Sequence, residues 1–529
     1  MTPGTVSNPS PSPSRDTWVG AAASVVGMAL ALALARDMVF RLHLLLGDGV
    51  SRVANASYVL FSRDPHLAAV GFIWPPLPSL LSIPLLLPML LLSHAFPPLL
   101  RDGFAGNILS IMAFGGTIWG SDRILRRFTV PAPWRAVYLA AFVGNPLLLF
   151  YAANGMSESL LLFCLTFLVD AMSNYLKGEH YAPLGLAGIW LALAFLTGYE
   201  AVFLGLAAAV GVTWKHLAAR HSKEHLEASL FFLLLPAFYT GVLWMVVQAL
   251  LLGNPFYFAT SAYGNAQQIG SGAYYNGQTL LLAAKGSLGA SLYFAAAHLL
   301  LAPAFGILAA WSFLHPRATN ARILSLFPLS VFLMQFLLTF AGLTAGWARF
   351  YFYVVPGAFW LAAALSDGRR WPTHAFLNVL LLSSSLATGW VVVNTWIGHG
   401  DRAYLRSVLR QTVSTADAED LSIAAYLNRL PLPNGPILTD SFLDYMVVIN
   451  ARPMTRMAIT SDRDFRSLLT APWGRVSYFL VPSPSGLGRA DAVNRAYPDL
   501  YAHGTPWAAL VHRWPGYRLF RISPKAPAP

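Results

Sequence analysis

The sequence predicts an all-α membrane protein that crosses the bilayer many times and ends in a small α/β domain. Of its 529 residues, 56% are hydrophobic and only 11% are charged. A soluble domain carries roughly 25% charged residues, so this chain cannot cover itself with a water-facing surface. Apolar runs of about 20 residues, the length of a membrane-spanning helix, recur from Trp18 to Ile397. After about residue 398 the chain becomes much more polar.

The N-terminal segment 1–16 is rich in Pro and Ser and is predicted to be a disordered tail. It lacks the basic region and the small-residue cleavage site of a signal peptide, so the first apolar stretch is interpreted as a retained span. The single cysteine, Cys164, lies in an apolar segment, and the chain can therefore form no intramolecular disulfide.

Basic residues form short clusters between the apolar segments, at 123–127, 177–180, 215–223, 317–322 and 369–370. Such clusters mark cytoplasmic loops, so the net charge of +12 is read as a topology signal and not as a nucleic-acid-binding patch. With all five on the cytoplasmic side, the N-terminus lies inside and the C-terminus outside. The predicted count is eleven spans: 17–36, 103–122, 134–152, 156–176, 183–198, 200–216, 227–251, 286–313, 321–344, 349–366 and 374–396.

One apolar segment, Pro75–Leu92, does not fit this pairing. It contains five prolines, and proline removes a backbone donor and kinks a helix. Counting it as a full span would also break the alternation of the basic clusters. We therefore predict a bent or partly inserted helix on the outer side.

The membrane domain is predicted over 17–400, with outer loops at 37–102 and 252–285. In the first loop, Val53, Tyr58, Leu60 and Phe61 alternate with polar residues in the manner of amphipathic helices lying at the membrane interface. The second loop is rich in Gly, Asn, Gln, Ser and Tyr.

The predicted extracytoplasmic α/β domain covers 401–529. Helix-like stretches alternate with β-like runs, and the last run has a hairpin pattern around Pro515-Gly516. The helix-like stretches are Asp417–Arg429 and Asp462–Leu469, and the β-like runs are Pro436–Thr439, Val476–Val481 and Ala509–Ile522. Asp440 and Asp444 could support a binding role of this domain, although acids at the surface of an α/β domain are usually just solvated, which is the expectation here.

Three acids lie at predicted outer turns. Asp48 follows the first span, where a carboxylate can serve as a general base, a metal ligand or an interface charge. Arg52, four residues later, would share a helical face with Asp48 and could pair with it. Glu158 lies in a tight connection that needs no acid, which makes it a functional candidate. Glu200 occupies a similar turn, although the turn by itself explains polar residues.

Arg349 lies at the outer end of a late span, within Gly346-Trp347-Ala348-Arg349-Phe350-Tyr351. Its guanidinium fork suits a pair of phosphate oxygens. The alternative is an arginine that extends to the interface within a belt of aromatic residues. Lys285 is a weaker phosphate candidate at the outer end of the eighth span.

Several enzyme classes are disfavoured by missing motifs. The sequence has no Cys pairs and no His-Glu-x-x-His, so no metal site is assigned. It has no phosphate-binding Walker loop and no Rossmann fingerprint, which argues against a nucleotide-driven pump. An enzyme that uses nucleotide sugars would normally carry a soluble cytosolic catalytic domain, and the pattern predicts none.

Taken together, these features resemble the GT-C superfamily of membrane glycosyltransferases, which includes protein O-mannosyltransferases, aminoarabinose transferases and oligosaccharyltransferase subunits. The resemblance covers about 17–400. It rests on the order and sidedness of Asp48, the amphipathic helices after it, Trp74-Pro75-Pro76-Leu77, Asn145-Pro146-Leu147 through Met156-Ser157-Glu158, the short segment Ala194–Glu200, and Arg349-Phe350-Tyr351 with Pro356. Trp74 stands where that family has a basic residue or histidine.

This resemblance implies a polyprenyl-phosphate sugar as donor and a glycan, lipid or protein as acceptor. Asp48 would deprotonate or orient the acceptor hydroxyl, and Arg349, helped by Lys285, would stabilise the departing lipid phosphate. Glu158 would hold sugar or acceptor hydroxyls, and Arg52, Glu200 and Tyr351 complete the predicted substrate-binding set. A divalent cation is the only cofactor left open, and the other predicted partners are membrane lipids.

Two alternatives stay open at this point. A transporter or lipid flippase would place charge at mid-span and repeat its two halves, whereas here most ionisable residues cluster at span ends on one side. Asp170 is the exception, because it lies towards the inner half of its span. A non-catalytic assembly or sensor protein could instead use the outer tail as a binding module. Arginine in place of lysine and compact loops favour a bacterial plasma membrane.

Overall fold

The computed structural model describes residues 17–526 except 94, 179, 271–277 and 316–317. The tail predicted over 1–16 lies outside the described residues, as does the middle of the predicted loop 252–285. The helices of the first 400 residues are α1 Trp18–Arg36, α2 Gly47–Phe61, α3 Leu77–Leu92, α4 Pro98–Arg101, α5 Phe104–Arg127, α6 Ala132–Val143, α7 Pro146–Ala153, α8 Glu158–Gly178, α9 Tyr181–Phe195, α10 Ala201–Ala219, α11 Lys223–Leu252, α12 Tyr257–Thr260, α13 Asn265–Gly270, α14 Thr279–Ala284, α15 Leu288–Ala297, α16 Pro303–Leu314, α17 Thr319–Ala341, α18 Val354–Leu365 and α19 Trp371–Asn394.

A polytopic all-α membrane domain is confirmed, and every predicted span coincides with a helix or a bent pair of helices. Within the described residues, seven helices are long and apolar enough to cross a membrane, or up to nine if each of two bent pairs forms one span. The predicted count of eleven is therefore not confirmed. The remaining two predicted spans are α5, which carries charges near its end, and α9, which has only 15 residues.

The two bent pairs have clear local causes. Between α6 and α7 the axis turns by 65°, and the Asn145 side chain there accepts hydrogen bonds from the backbone N–H groups of Leu147 and Leu148. This caps α7, whose first residue is Pro146. Between α15 and α16 the axis turns by 106°, and α16 likewise starts with a proline, Pro303. Proline at a first position starts a helix well but cannot continue the preceding one.

α3 is a 16-residue apolar helix with Pro84 and Pro88 in its interior. It packs against α2 and α5 and belongs to the shorter apolar helices of the chain. The amphipathic α2 buries Val53 and Tyr58, as its pattern predicts. It packs between α3, α5 and the C-terminal domain, so protein covers much of its apolar face.

Charged residues at one end of the bundle form ion pairs with one another. Asp170 on α8 contacts Arg123 at 2.9 Å and Arg127 at 2.5 Å, both on α5. Lys177 lies 2.9 Å from Asp367. The intramembrane acid that counted towards a transporter is thus the partner of a basic cluster. The predicted clusters 123–127 and 177–180 also meet at this end of α5, where Lys177 donates to the Arg127 carbonyl.

Asp122 is the most deeply buried acid at this end. Its side chain has 0% exposure and lies 2.9 Å from Arg126 and 3.0 Å from Arg135, which is itself only 4% exposed. Removing one partner of a buried ion pair leaves the other charge uncompensated.

We therefore expect Asp122→Ala to lower the free energy of unfolding by about 3–5 kcal/mol. Arg126 can turn towards solvent, but Arg135 cannot. The measurement is thermal or denaturant unfolding of the protein in detergent, with Asp37→Ala as the control, because Asp37 pairs with Arg41 at the surface. An Asp122 variant as stable as that control would contradict the expectation.

The C-terminal α/β domain is confirmed as well. Its helices are α20 Arg402–Arg410, α21 Ala418–Leu427, α22 Tyr445–Ile449, α23 Phe465–Thr470, α24 Ala492–Ala496 and α25 Leu500–His503, and its strands are β1 Ile437–Leu438, β2 Met457–Ala458, β3 Tyr478–Pro482, β4 Ala508–Arg513 and β5 Tyr517–Ile522. The strand order is β2-β1-β3-β5-β4. The first three strands are parallel, whereas β5 runs antiparallel to β3 and to β4.

This domain docks on the first loop and on the second through charged and polar contacts. Arg63, at the end of α2, pairs with Asp462 at 3.0 Å and also contacts Asp464. In the second loop, the Tyr263 hydroxyl donates to Asp440 at 2.5 Å. Asp440 and Asp444 were expected at the surface, but both are fully buried. The docking of the second loop explains the difference for Asp440, since a partner from outside the domain covers it.

Candidate functional site

At the end of the helix bundle opposite the basic clusters, the first turn of α2 lies against the turn that precedes α8. A Cβ added at Gly49 would lie 3.0 Å from the backbone of Gly155, so any larger residue would push α2 and this turn apart by a few tenths of an ångström. Gly155 itself has φ +79°, a conformation that glycine adopts without strain. The contact places Asp48 beside the start of α8.

The turn at 153–157 is held from the other side by α5. The Asn107 side-chain amide donates to the Ala153 carbonyl at 2.7 Å, and the Ser110 hydroxyl donates to the Met156 carbonyl at 2.9 Å. These bonds leave little freedom to the turn. Glu158, the first residue of α8, is thereby positioned towards Asp48 and Arg349.

Arg349 joins the two predicted acids. Its Nη2 lies 2.8 Å from Asp48 Oδ2, and its Nε lies 3.6 Å from Glu158 Oε1. The guanidinium carbon also lies 4.1 Å from the centre of the Trp347 ring, which adds a cation–π contact. Asp48, Glu158 and Arg349, which are far apart in sequence, thus form one charged cluster, carboxylate–guanidinium–carboxylate.

Accessibility differs sharply within the cluster. The Asp48 side chain is 57% exposed, whereas Arg349 and Glu158 are only 11% and 12% exposed. Partial loss of hydration among the surrounding protein atoms would raise the pKa of Asp48, but the charge of Arg349 and its hydrogen bond hold that pKa below the usual range. An open carboxylate next to a shielded guanidinium suits a site that a charged substrate enters from the side of Asp48.

Several buried polar atoms at or beside the cluster have no hydrogen-bond partner within the described part of the chain. They include Glu158 Oε2 and the Asn154 side-chain amide nitrogen. Buried polar groups are nearly always satisfied, so an acceptor and a donor left open together indicate a place for a polar ligand. Sugar hydroxyls can serve both as donors and as acceptors.

Arg52 and Glu200 are brought to the same region. Arg52 donates to the Pro75 carbonyl at 2.9 Å, and its guanidinium carbon lies 5.7 Å from the Trp74 ring centre. The turn that carries Glu200 is tied to the same segment, since the Tyr199 hydroxyl donates to the Ile73 carbonyl at 3.2 Å. Burial raises the pKa of Glu200, and the charges of Glu158, Arg349 and Arg52 act on it as well.

Tyr351 and Lys285 are placed elsewhere. Tyr351 has 0% exposure, and its ring stacks on His298 at 3.9 Å between centroids. The side chain of Tyr351 therefore points into the helix bundle, away from the cluster around Arg349, and its substrate-binding role stays a prediction. Lys285 is exposed, and its aliphatic stem lies against Gly342. No described contact joins it to Arg349.

Asp401, in the first residues of the C-terminal domain, is a site residue that the sequence did not single out. It is 3% exposed, and the charges of Arg349 and Glu158 both act on it. Burial raises the pKa of Asp401 to about 7, near the Tyr151 hydroxyl. The tail also brings Tyr445, since a Cβ at Gly47 would lie 2.6 Å from its hydroxyl. The sequence feature that could have indicated Asp401 is the position of an acid a few residues after the last predicted span.

The titration of Asp401 predicts a pH dependence. Because its folded-state pKa is raised, Asp401 is neutral below about pH 7 and becomes an anion above it. The anion would compete for Arg349 with a negatively charged substrate. We expect the KM for such a substrate to rise as the pH increases through 7, and Asp401→Asn to remove that rise. The measurement is the KM of both proteins from pH 5.5 to 8.5. An equal rise of KM through pH 7 in the variant would contradict the prediction.

The described residues offer few ligands for a metal ion at this site. Asp48 and Glu158 both face Arg349, which already compensates their charge. No third His, Cys, Asp or Glu in the described part of the chain lies within ligand reach of this pair. A divalent cation here therefore stays a prediction without a full set of protein ligands.

No protein-family model matches this sequence, and no curated protein matches it significantly. The fold, by contrast, is similar to that of ArnT from Cupriavidus metallidurans bound to undecaprenyl phosphate. The TM-score is 0.55 at 13% identity, and the match covers 96% of this chain and 98% of ArnT. The apo state of that protein matches with a TM-score of 0.52, at 14% identity, over 94% of this chain and 98% of ArnT.

The chain shares the fold of ArnT. The predicted resemblance to the GT-C superfamily is therefore confirmed at the level of the fold, and it extends beyond the predicted 17–400 into the C-terminal domain. At 13–14% identity the likeness does not assign residue roles or a substrate.

Proposed function

We propose that this protein is an inverting glycosyltransferase that moves a sugar from a polyprenyl-phosphate donor to a glycan, lipid or protein acceptor on the outer face of the membrane. The observation that carries the proposal is the cluster in which Arg349 lies between Asp48 and Glu158, beside the start of the C-terminal domain. The fold shared with an undecaprenyl-phosphate-bound protein supports a donor of this class.

In the proposed reaction, Arg349 first exchanges partners. The donor phosphate oxygens compete for the guanidinium fork, which fits them well. Asp48 then loses the contact at 2.8 Å that depresses its pKa. Its basicity rises only once donor is bound, and this limits the activation of water or acceptor in the absence of donor.

The chemical step is a single displacement at the anomeric carbon. The acceptor hydroxyl gives its proton to Asp48, and its oxygen attacks the anomeric carbon on the face opposite the phosphate. The new carbon–oxygen bond forms as the bond to the phosphate oxygen breaks, so the configuration inverts. The electron pair of the broken bond stays on the polyprenyl phosphate.

The other residues of the site position the reactants. Arg349 faces the charge that develops on the leaving phosphate, and Arg52, directed to the segment at Trp74 and Pro75, adds positive charge nearby. Glu158 Oε2 and the Asn154 amide would satisfy their open hydrogen bonds with hydroxyls of the sugar. Glu200, in the adjoining turn, is assigned to the same group of polar residues that bind the sugar.

The proposed setting is a bacterial plasma membrane with the C-terminal domain on the outer side. The distance between the basic clusters and the candidate site along α5 supports this orientation. α5 has 24 residues and is about 36 Å long, with its basic residues at one end and the contacts to α2 near the other. A site opposite the basic clusters would face the outer leaflet under the positive-inside rule.

The proposal is tested with the full chain in lipid nanodiscs and a panel of radiolabelled polyprenyl-phosphate sugars. Turnover of one donor, detected as transferred sugar or as slow hydrolysis, and its loss in Asp48→Asn would support the assignment. Equal turnover in that variant would remove Asp48 as the base. Absence of binding and turnover for every donor, with an intact fold, would favour the transporter or binding-module alternative.

A further inference from the structure

Three histidines meet where α10 passes into α11. His216 lies near the end of α10, His221 in the connection and His225 in the first turn of α11. One ring nitrogen from each lies within 4.8 Å of the others, and the three ring centres are 4.9–5.0 Å apart. The cluster adjoins Tyr175 of α8, two residues from Lys177, and so belongs to the end of the bundle with the basic clusters, far from Asp48.

We propose that His216, His221 and His225 bind a divalent transition-metal ion of the Zn²⁺ class. Imidazole nitrogen is a preferred ligand of such ions, and three histidines with one open position form an established type of zinc site. Bonds of about 2.0–2.1 Å to a tetrahedral ion require ligand nitrogens about 3.3 Å apart. His216 is buried, whereas His221 is more accessible and lies in the short connection between α10 and α11, so the proposed site needs a movement of this side chain to close the remaining distance.

Tyrosine hydroxyls orient two of the rings. The Tyr175 hydroxyl lies 2.6 Å from Nε2 of His216, and the Tyr181 hydroxyl lies 2.6 Å from Nδ1 of His225. Metal-binding histidines characteristically use the second ring nitrogen to donate to an oxygen, which fixes the tautomer and the direction of the ring. In the proposed site, Nδ1 of His216 and Nε2 of His225 are therefore the ligand atoms.

The site would join the ends of four helices. His216 and His225 belong to α10 and α11, and their tyrosine partners belong to α8 and α9. A bound ion would thus restrain the α10–α11 connection against the two preceding helices. The inference does not depend on the proposed glycosyl transfer, because no residue of the Asp48 site takes part.

The test uses full-length protein in nanodiscs, without a polyhistidine tag and after treatment with a chelator. Zn²⁺ is titrated by calorimetry, and Co²⁺ serves as a spectroscopic probe of nitrogen coordination. The variants are His221→Gln, His225→Gln, both together, and Tyr181→Phe. His503→Gln is the matched control, since His503 is a histidine of the C-terminal domain whose side chain is 77% exposed.

We expect one equivalent of Zn²⁺ to bind the wild type and the His503 control, and to raise the unfolding temperature of both. Tyr181→Phe should bind about 10–100-fold more weakly, and each single cluster variant, which loses a ligand atom, should bind more weakly still. Equal unfolding temperatures without metal would show that the variants are folded. Absence of stoichiometric binding by the wild type, or unchanged binding by the double variant, would overturn the proposal.

Discussion

Replacing Asp48 with Asn is expected to reduce sugar transfer by about 10²–10⁴-fold, the range in which positioned general bases contribute. The amide has nearly the same shape as the carboxylate but cannot accept the acceptor's proton. It also removes the negative charge that lies 2.8 Å from Arg349. Donor binding should therefore stay the same or tighten, because the phosphate no longer has to displace a carboxylate from the guanidinium.

The measurement is single-turnover transfer at saturating donor, with donor affinity determined separately. Asp37→Asn is the matched control, since Asp37 is an acid at the end of the first helix whose partner, Arg41, is exposed. The control should retain full activity. Asp48 has a 57% exposed side chain, so the variant is not expected to unfold. A loss of donor affinity with an unchanged chemical step would place Asp48 in binding and not in catalysis.

Replacing Arg349 with Lys is expected to lower kcat by about 10²–10³-fold, as does the loss of one donor to a developing anion in other enzymes. Lysine keeps the positive charge but cannot make the two-pronged contact with phosphate. Arg349 also contacts Asp48 and Glu158 and stacks on Trp347, so a single ammonium cannot reproduce its geometry.

Lysine is preferred to a neutral residue in this test. Arg349 is only 11% exposed, and a neutral side chain would leave Glu158 without a counter-charge in a shielded position. Arg63→Lys is the control, because Arg63 forms ion pairs outside the site. A kcat unchanged in Arg349→Lys, with donor affinity also unchanged, would remove Arg349 from the reaction.

These two variants separate the roles that the geometry assigns. The Asp48 variant should lose the chemical step while binding donor, whereas the Arg349 variant should lose both. The pH profile adds a third signature, since Asp401 reports on Arg349 through the KM for donor and not through the base.

Local sequence determined the membrane domain, because each span must satisfy its own backbone hydrogen bonds and bury an apolar stretch of suitable length. Turn chemistry and alternation determined the α/β tail in the same way, down to the hairpin at Pro515-Gly516. The number of spans could not be predicted in this way. The helix α5 carries charges that only become tolerable through pairs such as Arg123–Asp170, which join different helices.

Sequence also indicated Asp48, Glu158 and Arg349 one by one, from their residue types at predicted outer ends. Only the tertiary structure decided that they meet, that Tyr351 turns into the core, and that Asp401 and Tyr445 come from the tail to the site. The physical reason is that ion pairs, close glycine contacts and burial depend on distances between segments. Hydrophobic periodicity specifies which face of a helix is buried, but not which neighbour buries it.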